Sequence, residues 1–132
     1  MENILKYGLV IYVSNPEVMS NFYINIFGLK KRDTGKDFIA LKNEWFELVL
    51  LKTGITESLS KEKNGTFEKR ESTPLKPVFF VDRTIDEVRN LVESLGGGFK
   101  ASKFEWKFNG YIVCDGWDPE VNIFQVRSLI SR

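Results

Sequence analysis

The stretch that most constrains this chain is one it contains twice. Gly8 to Leu29, GLVIYVSNPEVMSNFYINIFGL, is answered by Lys76 to Gly97, KPVFFVDRTIDEVRNLVESLGG. At a constant offset, Val10-Ile11-Tyr12-Val13 lies over Val78-Phe79-Phe80-Val81, and Gly28 lies over Gly96. Each copy is a β-branched and aromatic run, then a capping signal, then an amphipathic run closed by glycine. That order predicts a strand feeding a helix, twice.

In the first copy, Leu5 to Val13 reads as a buried strand with Leu9, Ile11 and Val13 on one face and Gly8, Val10 and Tyr12 on the other. Asn15-Pro16-Glu17 supplies an N-cap, a proline whose missing N–H costs nothing in the first turn, and an acid at the positive helix end. Val18, Phe22 and Ile26 follow at helical spacing with Met19 and Tyr23 beside them, and Gly28 closes the helix. Lys30 to Asn43 predicts two short strands around the turn Asp33-Thr34-Gly35-Lys36. Trp45 to Leu51 is a third, with Glu47 alone in an apolar run.

The second copy opens with a strand over Lys76 to Val81, and Thr84-Ile85-Asp86-Glu87 fits a capping box. Ile85, Val88, Val92 and Leu95, with Leu91 beside them, form the buried stripe of its helix, which Gly96-Gly97-Gly98 terminates. Three strands are expected after it, Phe99 to Lys103, Phe108 to Cys114 and Val121 to Ser128, with Gly110 and the turn Asp115 to Pro119 between them. Each module is therefore β-α-β-β-β.

The expected organisation is one domain over residues 1–132, with a first module at 4–52, a linker loop at 53–75 and a second module at 76–128. Half a chain of this length is marginal alone, so the modules should share a core or a ligand cleft. The linker turns polar and charged, and away from its ends Leu59 and Phe67 are its large apolar residues, as anchors or as a flap.

Composition narrows the function classes. Nineteen basic residues stand against 18 acidic ones, and Lys30-Lys31-Arg32 is the one short basic block, which argues against nucleic acid or an anionic membrane as partner. No apolar run approaches the ~20 residues of a spanning helix, and MENILKYG lacks signal-peptide features. A single cysteine, Cys114, excludes an internal disulfide, so a cytoplasmic protein is the simplest expectation. Histidine is absent, which removes the residue most used for metal ligation and for proton transfer near neutral pH.

The repeat resembles the vicinal-oxygen-chelate superfamily, the group of glyoxalase I, bleomycin-resistance proteins, fosfomycin-resistance enzymes and extradiol dioxygenases. The residues that carry the resemblance are the strand followed by Asn15-Pro16-Glu17, then Phe22-Tyr23 and Phe27-Gly28-Leu29, and the closing Asp118-Pro119-Glu120-Val121-Asn122, similar to the family's DPDGN turn. The resemblance covers nearly the whole chain. It implies an α+β fold in which two βαβββ modules form an eight-stranded, incompletely closed mixed sheet around a cleft, with helices outside, and it implies a homodimer.

In metal-dependent members, a His or Gln in each module's first strand and a carboxylate in each last strand hold a divalent ion. Those positions fall here on Gly8 and Lys76, and on Glu47 and Gln125. Only Glu47 is a natural ligand: glycine has no side chain, lysine offers donors only, and Gln125 a neutral amide oxygen. No metal and no cofactor are therefore expected.

Period-two alternation from those positions turns Gly8, Val10, Tyr12, Glu47, Val49, Leu51, Lys76, Val78, Phe80, Ile123, Gln125 and Arg127 toward the cleft. The ligand-binding candidates are Tyr12, Glu47, Val49, Lys76, Phe80, Trp106, Tyr111, Gln125 and Arg127. Glu47 and Lys76 are expected either to neutralise one another or to receive charged ligand groups. As catalytic candidates, Glu47 would be a base and Lys76 an acid or amine nucleophile.

Trp45, Trp106 and Trp117 read as caps of the core or of a subunit interface, or, for Trp106, as an aromatic wall for a planar or cationic ligand. Cys114 reads as a small core residue. Gly96-Gly97-Gly98 follows a helix instead of preceding one and lacks phosphate-loop geometry.

Three functions remain open. The first is a metal-independent binder of a small organic molecule, in a resistance or sequestration role. The second is a lyase, isomerase or epimerase built on Glu47 and Lys76, and the third is an interaction domain with a self-filled cleft.

Overall fold

The computed structural model describes residues 4–53, 62–63, 66–67 and 74–130. They fall into two compact units, residues 1–61 and 62–132.

The first unit runs β1 (Tyr7–Val13), α1 (Pro16–Phe27), β2 (Lys30–Thr34), β3 (Phe38–Lys42) and β4 (Phe46–Lys52). Its sheet has the order β1-β4-β3-β2. β1 and β4 are parallel, with Gly8 opposite Glu47 and Tyr12 opposite Leu51, and the other pairs are antiparallel. Asn15 caps α1 by accepting the Val18 N–H at 3.1 Å, with Pro16 in the first turn. Gly28 ends it in the left-handed region at φ 69°, which glycine adopts without a Cβ penalty.

One stripe of α1, Met19, Phe22, Tyr23 and Ile26, is buried, as are Val13, Ile39, Leu41, Leu48 and Leu50 of the sheet. Burial of each large side chain contributes about 1.5–3 kcal/mol. The intervening residues of β1, Gly8, Val10 and Tyr12, are exposed, as the period of a strand requires.

The second unit contains β5 (Glu62–Lys63), β6 (Thr66–Phe67), β7 (Val78–Val81), α2 (Ile85–Ser94), β8 (Gly98–Phe99), a 3₁₀ turn at Ser102–Phe104, β9 (Trp106–Phe108), β10 (Tyr111–Trp117) and β11 (Ile123–Leu129). Its main sheet has the order β7-β11-β10-β8, with β9 also paired to β10. First and last strands pair in parallel here as in the first unit, β7 with β11. The capping box is present in full: Thr84 Oγ1 accepts the Glu87 N–H at 3.1 Å and Glu87 Oε1 accepts the Thr84 N–H at 3.0 Å. Phe124, fully buried, takes Phe79 and Phe99 edge-on or tilted at 6.2 and 6.4 Å, while Ile85, Val88 and Val92 of α2 are buried.

Two expectations from the sequence are corrected in this unit. The strand expected at Phe99 to Lys103 has only the two residues of β8 before the chain enters the 3₁₀ turn, because the rest of that β10 edge is taken by β9. β10 runs through Asp115 and Gly116 to Trp117 and does not turn at Asp115. Two reciprocal glycine–aromatic pairs make this extension fit. A Cβ on Gly116 would stand 2.4 Å from Phe99 Cδ1, and one on Gly98 would stand 2.2 Å from Trp117 Cε2.

The turn lies instead at Asp118 to Asn122, where Asp118 Oδ1 accepts the Glu120 and Asn122 N–H groups at 2.9 and 3.0 Å. Asn109 and Gly110, at φ 47° and 84°, form the two-residue connection between β9 and β10 that an Asn-Gly pair favours.

The stretch 53–75, read as a linker loop, includes the short antiparallel pair β5–β6. Leu59 and the side chain of Phe67 lie outside the described residues. Among the described residues, no helix is long and apolar enough to cross a membrane.

Candidate ligand site

The registers of the second sheet decide what its two faces carry. Direct partners project to the same side, so Val78, Gln125 and Asp115 form one row. Phe80, Arg127, Val113 and Trp106 form the next, and Tyr111 and Phe108 a third. The alternate residues, Phe79, Phe124, Val126 and Cys114, lie on the opposite face, the one that carries the buried Phe124 cluster.

The three rows bring most second-unit candidates together. Phe80, 61% exposed, meets Tyr111 edge-to-face with ring centroids 5.2 Å apart. The Arg127 guanidinium carbon sits 5.6 Å from the Phe80 ring centre and 5.0 Å from that of Phe108. Its Nε donates to Gln125 Oε1 at 2.8 Å. An arginine held by one amide and flanked by two rings is a preorganised cation on an aromatic floor.

Lys76 Nζ donates to Asp115 Oδ2 at 2.7 Å. The Asp115 side chain is 8% exposed and that of Lys76 is 44% exposed, so the carboxylate is the buried partner. Among the described residues no donor reaches Asp115 Oδ1. Asp115 is not marked as a site residue by its local sequence, because Asp115-Gly116 has the composition of a turn. Its signal was the continuing alternation of Tyr111, Val113 and Asp115 along one strand face.

In the first unit, Glu47 Oε2 accepts from Arg32 Nη1 at 2.7 Å. The expectation that Glu47 and Lys76 neutralise each other is thus corrected. Each has a counter-ion from its own sheet, Arg32 on β2 and Asp115 on β10. Tyr12 and Val49 share the Glu47 face of that sheet by register. A separate cavity of about 320 Å³ opens at the start of α1, lined by Ser14, Asn15, Thr34, Lys36, Phe38 and Lys52 among others.

The remaining aromatic and thiol candidates are placed as follows. Trp45 is exposed with Lys6 Nζ 5.4 Å over its ring, Trp117 packs on Gly98, and Trp106 lies opposite Val113, which stands between it and Arg127 in the second row. Cys114 is buried with its Sγ 3.7 Å from the Lys100 carbonyl, and burial pushes its thiol up from the ordinary range.

No protein-family model matches the chain, and no curated protein matches its sequence. Solved structures do match along nearly its full length. A glyoxalase/bleomycin resistance protein/dioxygenase family enzyme from Burkholderia phytofirmans PsJN superposes with a TM-score of 0.69 at 16% identity, covering 93% of this chain and 97% of that one. The chain has the glyoxalase-like fold. Lactoylglutathione lyase from Agrobacterium tumefaciens (TM-score 0.61, 16% identity, 93% and 92% covered) is similar in the same way. So is a genomically encoded fosfomycin resistance protein from Listeria monocytogenes (TM-score 0.60, 14% identity, 97% and 91% covered).

Metal-dependent members of this fold imply a divalent ion at the positions of Gly8, Glu47, Lys76 and Gln125, and the groups there do not fit one. Glu47 is engaged by Arg32, Lys76 is a cation engaged by Asp115, and the Gln125 amide oxygen is engaged by Arg127. Gly8 brings no donor at all, and a Cβ there would already stand 3.2 Å from the Glu47 carbonyl oxygen. Among the described residues, no group of three or more His, Cys, Asp or Glu side chains is placed to hold a metal ion.

Proposed function

We propose that this glyoxalase-like protein binds a small, planar organic molecule without a divalent metal, on the β7–β11–β10–β9 sheet face described above. The observation that carries the reading is the Arg127 guanidinium held between Phe80 and Phe108 beside Tyr111. A flat ligand gains apolar contact from the rings and charge or hydrogen bonding from Arg127, the usual division of labour in a small-molecule site. In this reading Trp106 flanks the ligand, Gln125 holds Arg127 in place, and Lys76 lies at the adjacent row. Tyr12, Glu47 and Val49, which share one face of the first unit's sheet, are proposed as ligand-binding residues of that unit.

Sequestration or resistance is the role that suits a binder without reactive groups, and similarity to a protein named for fosfomycin resistance supports it. A cytoplasmic homodimer is part of the proposal. The acid–base alternative on Glu47 and Lys76 loses support, because each group is committed to a counter-ion. The test is a thermal melt of wild type and Phe80→Ala against small planar compounds, with and without a chelator. A ligand at ~100 times its Kd stabilises by about 2.7 kcal/mol. The reading expects that stabilisation in wild type, unchanged by the chelator and lost in Phe80→Ala. Stabilisation abolished by the chelator would defeat it.

A further inference from the structure

Among the described residues, Asp115 is the one group on this face with a buried side-chain oxygen that has no hydrogen-bond partner. Its carboxylate is buried, one oxygen is held by Lys76 at 2.7 Å, and no donor among the described residues reaches the other. A buried acceptor left unmade costs about 1–3 kcal/mol, so a natural completion is a donor supplied from outside. Charge says what kind of donor. Lys76 already balances the carboxylate, so what Oδ1 lacks is an N–H or O–H and not a second cation. Lys76 in turn has three N–H groups, of which one is spent on Oδ2. The pair therefore presents an acceptor and a donor side by side, complementary to a neutral amide edge. Two residues along β10 from Asp115, about 7 Å, lies the row of Phe80, Arg127 and Trp106.

We infer that the ligand is an aromatic carboxamide or lactam, its N–H donated to Asp115 Oδ1, its carbonyl accepting from Lys76, and its ring on Phe80 and Tyr111. This rests on the binding reading above and gives it a substrate class. It also makes Asp115 the specificity-determining residue: a ligand of the same shape without the N–H would leave Oδ1 buried and unmade, the arrangement that discriminates most strongly.

The test compares benzamide with acetophenone, which keeps ring and carbonyl and replaces the amide nitrogen by a methyl. Binding is measured by calorimetric titration of the full chain. Benzamide should bind at least ~10-fold tighter, from the cost of the unmade hydrogen bond. Asp115→Asn should erase that preference, and Phe80→Ala should weaken both compounds alike. Lys76→Met keeps the Asp115 carboxylate and should weaken both while preserving the ratio, so it decides the matter if Asp115→Asn does not fold. Equal affinities in wild type, with Phe80→Ala still weakening both, would mean that water alone serves Oδ1. That outcome overturns the inference and leaves the binding face standing. No binding of either compound, or binding indifferent to Phe80→Ala, overturns both.

Discussion

Lys76 and Asp115 share one hydrogen bond, Nζ to Oδ2 at 2.7 Å, across a pair in which the acid is buried and the base half-exposed. Removing the base strands a charge, whereas removing both removes the problem. Lys76→Met should therefore destabilise by about 1–3 kcal/mol, below the 3–5 kcal/mol of a fully buried pair because solvent reaches the ammonium. The double variant Lys76→Met/Asp115→Leu should recover most of that loss. Urea denaturation of the three proteins checks both statements, and a double variant less stable than Lys76→Met would contradict them.

The reciprocal packing of Gly116 on Phe99 and Gly98 on Trp117 predicts that Gly116→Ala costs about 1–3 kcal/mol by overpacking. The new methyl would meet not only the ring at 2.4 Å but also the Gly98 carbonyl oxygen at 3.0 Å. Gly28→Ala is the control, with nothing within 4 Å of its Cβ but φ at 69°. Its cost is conformational, about 1 kcal/mol. Chemical denaturation should order them Gly116→Ala below Gly28→Ala, and a neutral Gly116→Ala would mean that β8 and β10 are not so paired.

The capping box yields a prediction with a pH sign. The backbone N–H of Thr84, and then its hydroxyl, hold the Glu87 carboxyl below the usual range. Its folded-state pKa is therefore depressed, so its contribution is present above the ordinary glutamate range and is lost as pH falls through the folded value. The stability gap between wild type and Glu87→Gln should be constant at neutral pH and close on acidification below about pH 4. Thr84→Ala should cost about 1 kcal/mol at pH 7. Thermal melts across pH follow both, and a gap that widens in acid would reverse the assignment.

Cys114 titrates in the other direction. Burial first of all pushes its thiol up, against a smaller opposing effect of Arg89. Its contribution to stability is intact below the ordinary thiol range and falls as pH rises through the raised folded value. Wild type should therefore lose stability above about pH 8.5 relative to Cys114→Ala, and the native thiol should resist labelling by a disulfide reagent until the chain unfolds. Rapid labelling of native protein would show an exposed thiol.

The local signals carried the fold a long way. Asn15-Pro16 and Thr84–Glu87 cap helices as their residue types predict, because capping is chemistry within four residues. The repeat was legible for the same reason, and the parallel β1–β4 and β7–β11 pairs are its outcome.

What was illegible depends on partners distant in sequence. Asp115-Gly116 looks like a turn, and its pairing with Gln125 and Phe124 of β11, together with the Phe99 ring seated on Gly116, makes it a strand. Glu47 and Lys76 looked like partners for each other because their true ones, Arg32 and Asp115, become neighbours only once β2 and β10 take their places in the sheets. A residue's face follows from period two, but its counter-ion follows from register, which no single strand announces.

The most direct measurement of the central claim is a map of ligand contact by amide chemical-shift changes during titration with benzamide in the presence of a chelator. The account predicts saturable shifts concentrated on β7, β10 and β11, around Phe80, Tyr111, Asp115 and Arg127. Shifts gathered instead at Ser14 to Glu17, Lys36 and Lys52, where the separate cavity lies, or none without an added divalent ion, would contradict it.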